Sequence, residues 1–384
     1  MDHSPCIGAV CLSEKIGTLK GLNLWKGLPM KRREFIQHTT AAGMAFALPA
    51  FPDFLANAAE LRLGVAEASY MMRAYRNMPS DRYPPFKNAL DLMEHCAELG
   101  FGGVQVGIGQ WDAGFARQVR ARKDALRMFL EGSVRLPREE GDLPRFEAEV
   151  AAAAGIGVDV IRTVCLSGRR YENFQTRESF LEFREASVAA LQRAEPVMRK
   201  NRVKLAVENH KDWRVAEMKE LLDGLGSEWI GVTLDTGNNI SLLEDPMEVV
   251  RGLAPYAFSV HLKDMAVAEY EDGFLLSEVN FGEGYLDIEG MIAAIRAQNP
   301  EIRFNLEMIT RDPLKVPCLT EDYWATFGEA PARELAGYLR HIRSQKSDKP
   351  LPVISGLPPD DQLGLEVENN RTCLGTARAR YGFQ

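Results

Sequence analysis

The strongest constraint in this sequence is a repeat of pattern, not of letters. From about residue 60 a short β-branched run is followed by a longer stretch of helical period, and the alternation recurs eight times. The runs fall at 61–69, 102–108, 128–134, 158–165, 203–210, 230–238, 257–265 and 303–308. The helical stretches fall at 87–100, 113–127, 143–157, 178–200, 214–224, 246–252, 287–298 and 321–344. A longer loop separates the seventh run from its helix. Strands joined through helices make parallel sheets, because each helix carries the chain back to the starting edge. Eight units in about 285 residues match the closed parallel (β/α)8 TIM barrel, typically ~250 residues. An open doubly wound sheet shares the alternation, but no Gly-x-Gly-x-x-Gly follows the first strand and the count stops at eight. The sequence predicts an α/β fold with one barrel domain over 59–346. Residues 347–384 open with the Pro-rich "DKPLPVISGLPPDD" and are expected to form an extended tail, packed on the barrel or not.

The segment "MKRREFIQHTTAAGMAFALPAF" begins at Met30. Lys31, Arg32 and Arg33 precede Phe35 and Ile36, and a small-residue, mildly apolar stretch follows. This is the pattern of an export signal of twin-arginine type, with cleavage expected after Ala56-Asn57-Ala58. The apolar run is too short to span a bilayer. On this reading 1–29 is a mis-called extension and 30–58 is the signal. The mature protein is then periplasmic or otherwise exported, with no membrane attachment after cleavage. The net charge of −8 and the lack of a basic block argue against a nucleic-acid partner. Cys6, Cys11, Cys96, Cys165, Cys318 and Cys373 show no zinc-site spacing and read as free thiols.

In a barrel of this kind the chemistry sits at the C-terminal ends of the strands. The fifth run, "VKLAVENH", ends in Glu208, Asn209 and His210. The sixth, "GVTLDTGNN", gives Asp235 and Asn238, the seventh, "SVHLKDM", gives His261, Lys263 and Asp264, and the eighth, "NLEM", gives Glu307. Glu208, Asp235, His261 and Glu307 are 27, 26 and 46 residues apart, so two of the gaps equal one β/α unit and the third spans the longer loop. Each could cap a helix or fill a core alone. Together, at successive strand ends, they would aim four side chains at one spot. Three carboxylates crowded in a barrel mouth need a cation to offset their repulsion. Three oxygen donors and one imidazole suit one divalent ion, Mn²⁺ first, with Mg²⁺, Co²⁺ or Zn²⁺ as the alternatives.

These motifs, with the Gly-rich "FGEGYLD" at 281–287, resemble the xylose-isomerase-like TIM barrels, the sugar phosphate isomerase/epimerase family, over about 61–345. The resemblance implies that Glu208, Asp235, His261 and Glu307 bind one divalent ion, and that Glu208 and Glu307 also serve as acid and base. The family includes a DNA-repair endonuclease with a three-zinc cluster. This chain departs from it, because Gln105, Glu131 and Asn238 stand where that cluster needs histidines. His210 and Lys263 each follow a ligand by two residues, hence on the same side of an extended strand, and are second choices for catalysis. Asn238 is expected to contact substrate hydroxyls. Arg162 either binds an anionic group or pairs with an acidic neighbour.

A divalent ion lowers the cost of the enediolate formed when a C–H beside a carbonyl loses its proton. Reprotonation on the other face is epimerisation, and at the neighbouring carbon isomerisation. Loss of a β-substituent is elimination. The expectation is therefore a metal-dependent isomerase or epimerase on a non-phosphorylated keto-sugar, a small molecule, with a homo-oligomer possible. A lyase or hydratase on 3-keto-glycosides is the alternative, and a non-catalytic carbohydrate-binding barrel is the third reading.

Overall fold

The computed structural model describes residues 61–384 apart from 110 and 329–331. The expected extension (1–29) and signal (30–58) lie outside the described residues. No described helix is long and apolar enough to cross a membrane.

The first half of the chain follows the expected alternation. Strand β1 (Leu63–Ala66) leads to the single turn α1 (Met71–Ala74) and to α2 (Ala89–Leu99). Then come β2 (Gly103–Gly107), α3 (Ala113–Leu126), β3 (Phe129–Ser133), α4 (Leu143–Gly155) and β4 (Val160–Thr163). A short turn α5 (Arg170–Asn173) precedes the long α6 (Arg177–Asn201), β5 (Lys204–Glu208), α7 (Val215–Leu225), β6 (Ile230–Asp235), α8 (Pro246–Leu253) and β7 (Ala257–Leu262). Local chemistry sets the helix starts. Asn88, Asp112, Thr176 and Asp245 each accept backbone N–H bonds of the first turn from their side chains.

After β7 the structure departs from expectation. The "longer loop" is a hairpin, β8 (Asp264–Tyr270) against β9 (Gly273–Val279), followed by α9 (Ile288–Gln298). The eighth barrel strand is β10 (Arg303–Leu306), and β11 (Leu314–Val316) adds to β9 in a three-stranded antiparallel sheet. The expected helix at 321–344 is two pieces, α10 (Glu321–Trp324) and α11 (Ala332–Ser344). These cover the hairpin sheet, not the barrel. Met265, Val267, Phe274, Leu276, Val316, Tyr323 and Ile342 form a second apolar core there.

The tail is also different. Pro359–Arg380 forms a helix, α12, which buries Leu363, Val367, Cys373, Leu374 and Ala377, and all but Leu363 join the barrel core. Phe383 packs edge-on against Phe304 of β10, and the Gln384 N–H donates to the Leu61 carbonyl at 2.9 Å. The last barrel helix is thus the C-terminal one.

The barrel closes in the order β1-β10-β7-β6-β5-β4-β3-β2, all parallel. At its lower end the Phe129 ring fills the interior. A Cβ at Gly103 would meet that ring at 2.4 Å, so only glycine fits there. Register sets the upper end: Asp235 stands opposite His261 and Asn305 opposite His261 on the other side, while Gln105 stands opposite Glu131. Cys96, Cys165, Cys318 and Cys373 are buried free thiols.

Candidate metal centre

The four strand ends converge. Glu208, Asp235, His261 and Glu307 are all buried, and each offers one ligand atom within 4.8 Å of all the others. His261 Nδ1 lies 3.2 Å from Glu307 Oε1, 3.6 Å from Glu208 Oε2 and 3.9 Å from Asp235 Oδ2. The outer oxygens are held from behind. Asn238 Nδ2 donates to Glu208 Oε1 at 3.0 Å. The Gly237 and Asn238 N–H groups donate to Asp235 Oδ1 at 2.9 and 2.7 Å. Lys263 Nζ donates to Glu307 Oε2 at 2.5 Å.

The ring of His261 is fixed from its far side. Its Nε2 meets Gln105 Oε1 at 2.7 Å, and Gln105 Nε2 donates to Glu131 Oε2 at 3.1 Å. Ser259 Oγ and Asn305 Nδ2 donate to the same oxygen of Glu131 at 2.6 and 2.8 Å. An amide oxygen accepts only, so Nε2 carries the proton toward Gln105 and Nδ1 faces the three carboxylates. His261 Nδ1 has no hydrogen-bond partner, and Asp235 Oδ2 has none of good alignment although Lys263 Nζ lies 2.8 Å away. Buried polar atoms normally have partners. These orphans, in a hard donor set, fit a divalent cation held by Glu208, Asp235, His261 and Glu307.

The protons show the same imbalance. Burial raises the Asp235 carboxyl and Lys263 only partly offsets it, leaving it at about 6. Burial lowers the His261 imidazole, but Glu307 and then Glu208 outweigh it and carry it to about 10. For Glu208, burial pushes upward and is overcome by Arg162 and then His261. For Glu307, burial is overcome by Lys263 and His261. Both stay well below the usual carboxylate range.

The other expected site residues divide. Glu307, His210 and Arg162 line an open cleft of ≈330 Å³ together with Tyr75, Lys211 and Arg311. His210 Nδ1 meets the Leu166 carbonyl at 3.0 Å. Burial pushes its imidazole down to about 4, so it is neutral near pH 7. Arg162 donates its Nε to Glu208 Oε2 at 2.6 Å, which is the ion-pair alternative of the sequence reading. Lys263 is buried between Asp235 and Glu307 as their counter-ion and does not line this cleft. Asn238 is likewise buried, with both amide atoms engaged. The Gly-rich "FGEGYLD" turns out to be a cradle for Asp264, which accepts N–H bonds from Gly282 and Gly284 at 2.8 and 3.0 Å. Any Cβ at Gly284 would strike that carboxylate. Gln105, Glu131, Ser259, Asn305 and Lys211 were given no positive role by sequence reasoning. Period two from His261 and Glu307 marks Ser259 and Asn305 as inward-facing. Gln105 and Glu131 carry no such mark.

The model of the xylose isomerase-like TIM barrel family matches residues 93–342, and the chain belongs to that family. A 3-oxo-isoapionate decarboxylase from Pectobacterium atrosepticum is 27% identical over 144 residues, 36% of this chain and 52% of that protein. The chain thus matches about half the length of this curated relative. Among solved structures, a D-psicose 3-epimerase in the presence of D-fructose superposes with a TM-score of 0.54 at 14% identity, over 84% of this chain and 100% of that one. A xylose isomerase-like TIM barrel protein from Mycobacterium smegmatis in complex with magnesium gives 0.51 at 14% identity, over 74% and 99%.

Proposed function

We propose that this protein is a divalent-metal-dependent enzyme that moves a proton beside the carbonyl of a small carbohydrate, as an isomerase or epimerase. One observation carries the reading: three carboxylate oxygens from separate strand ends surround the partnerless Nδ1 of His261. A divalent ion there, Mn²⁺ in first place, would supply Lewis acidity to a carbonyl and its neighbouring hydroxyl. The protein supplies the rest. Glu307 is the ligand carboxylate that borders the cleft, so it is the acid–base group within reach of substrate. Glu208, buried behind Arg162 and Asn238, holds position and charge. Neutral His210, with Nδ1 tied to Leu166, presents its Nε2 edge to a substrate hydroxyl. Lys263 keeps Glu307 ionised and oriented.

A second reading, a lyase that releases carbon dioxide from a 3-oxo sugar acid, is favoured by the partial relative and by the arginine- and lysine-lined cleft. Incubation of Mn²⁺-loaded protein with ketohexoses and ketopentoses in D₂O separates the two. Deuterium entering beside the carbonyl, seen by NMR, supports the first. No exchange on any ketose, with carbon dioxide released from 3-oxo acids, replaces it with the second. The proposal places the enzyme outside the cytoplasm, on the strength of residues 30–58 alone. Replacing Arg32 and Arg33 by lysine should leave it in the cytoplasmic fraction, and unchanged export would remove that part.

A further inference from the structure

The charges around the cleft leave one cation over. Arg162, Arg169, Lys211 and Arg311 all line it. Arg162 pairs with Glu208, Arg169 with Glu172 and Arg311 with Glu278. Deeper in, Lys263 pairs with Asp235 and Glu307. Among the described residues Lys211 pairs with no carboxylate. Its ammonium donates to the amide oxygen of Asn238 and to nothing else, yet the residue is only 4% exposed.

A buried cation without an anion is costly, and evolution normally pairs or removes it. Burial, with Lys263 and Arg311 adding to it, pushes the Lys211 ammonium down to about 8. The backbone is unusual too: Lys211 has φ of 70°, a left-handed conformation uncommon for a residue with a side chain. The surrounding loop enforces it. The Arg170 N–H donates to the Lys211 carbonyl at 3.0 Å. The N–H groups of Leu166, His210 and Trp213 all donate to Asp212. Such over-determined strain is kept where a side chain must be aimed.

We propose that Lys211 is the anion-recognising residue of the substrate site, and that the substrate is a sugar acid whose carboxylate pairs with it while its hydroxyl end faces Glu307. This rests on the metal-centred reading above. A carboxylate fits better than a phosphate, because one ammonium offers one charge and every arginine around it already has its carboxylate. Asn238 bridges the two ends of the site, accepting from Lys211 and donating to Glu208 at 3.0 Å. The carboxylate therefore sits only a few carbons from the oxygens at the centre.

The test uses the full chain loaded with Mn²⁺, titrated calorimetrically with erythronate, erythritol and erythritol 4-phosphate. Wild type should bind erythronate about tenfold tighter than erythritol, the size of one charge-assisted contact. Lys211→Met should erase that difference, and Lys211→Arg should keep part of it. Equal binding of erythronate and erythritol by wild type overturns the inference, as does a preference that survives in Lys211→Met. Tighter binding of the phosphate than of erythronate overturns the carboxylate assignment. Mn²⁺ content is measured first. A wild type that takes up no metal sinks the metal-centred reading, whereas a metal-loaded protein without acid preference sinks only this inference.

Discussion

Two polar layers lie one above the other inside the barrel, and they behave differently. The lower holds Gln105, Glu131, Ser259 and Asn305, and the upper holds Glu208, Asp235, His261 and Glu307. Both are buried. In the lower layer three donors converge on Oε2 of Glu131, while its Oε1 and Asn305 Oδ1 have no hydrogen-bond partner and burial raises the carboxyl above its usual range. In the upper layer three carboxylates crowd one another around the Nδ1 edge of His261. The lower layer holds one carboxylate among neutral amide and hydroxyl groups and serves to aim His261. The upper layer has the donor set to hold a cation.

The largest expected effect comes from removing a member of the upper layer. His261→Ala should abolish metal uptake, measured by elemental analysis, and with it activity, while far-UV circular dichroism stays native. Retention of about one ion per chain would remove the distinction between the layers.

The proton balance gives the next test. Metal-free His261 titrates at about 10, so near pH 7 its imidazole is charged and must lose a proton to bind a metal. Mn²⁺ uptake should release about one proton per ion, read from calorimetry in buffers of different ionisation enthalpy. The same shift sets the stability of the metal-free protein. A folded value above the unfolded one contributes stability that is fully present below pH 6.5 and is lost as pH rises through about 10. Metal-free protein should therefore lose Tm between pH 7 and 10, and Mn²⁺-saturated protein should not. Parallel curves would place the proton elsewhere.

Changes in the lower layer should act at one remove. Gln105→Leu frees the His261 ring and should weaken Mn²⁺ binding about 10–100-fold, the usual cost of losing the group behind a ligand. An unchanged affinity would show that His261 needs no support. Ser259→Ala removes one of three donors to Glu131 and should cost about 1 kcal/mol of stability by denaturant melt, with metal affinity hardly altered.

The two layers also differ in how far the sequence revealed them. The upper layer was legible because its residues stand at the ends of successive predicted strands, the first three at the spacing of one β/α unit. The lower one lies within the strands, where Glu131 in "MFLEGSV" looks like any polar residue on an exposed face. The barrel itself was legible from its alternation. Helix α12 was not, because its buried face carries Glu366 and Asn370, which bond the Met72 N–H and the Ser69 carbonyl. A polar buried face breaks the apolar periodicity on which helix recognition depends. The hairpin at 264–279 was missed for another reason. Its first strand starts at Asp264, two residues after β7 ends and still inside the run read as the seventh strand, and nothing local shows that the chain leaves the barrel there. Lys211 stood in plain view beside His210, but an unpaired charge becomes visible only when every neighbour's partner is known.

The most direct test of the central claim is a Mn²⁺ titration of the metal-free wild-type chain, followed by calorimetry with elemental analysis of the product. The account predicts saturation at about one ion per chain. A folded protein that binds no divalent ion would contradict it, and the three carboxylates around His261 would then need another explanation.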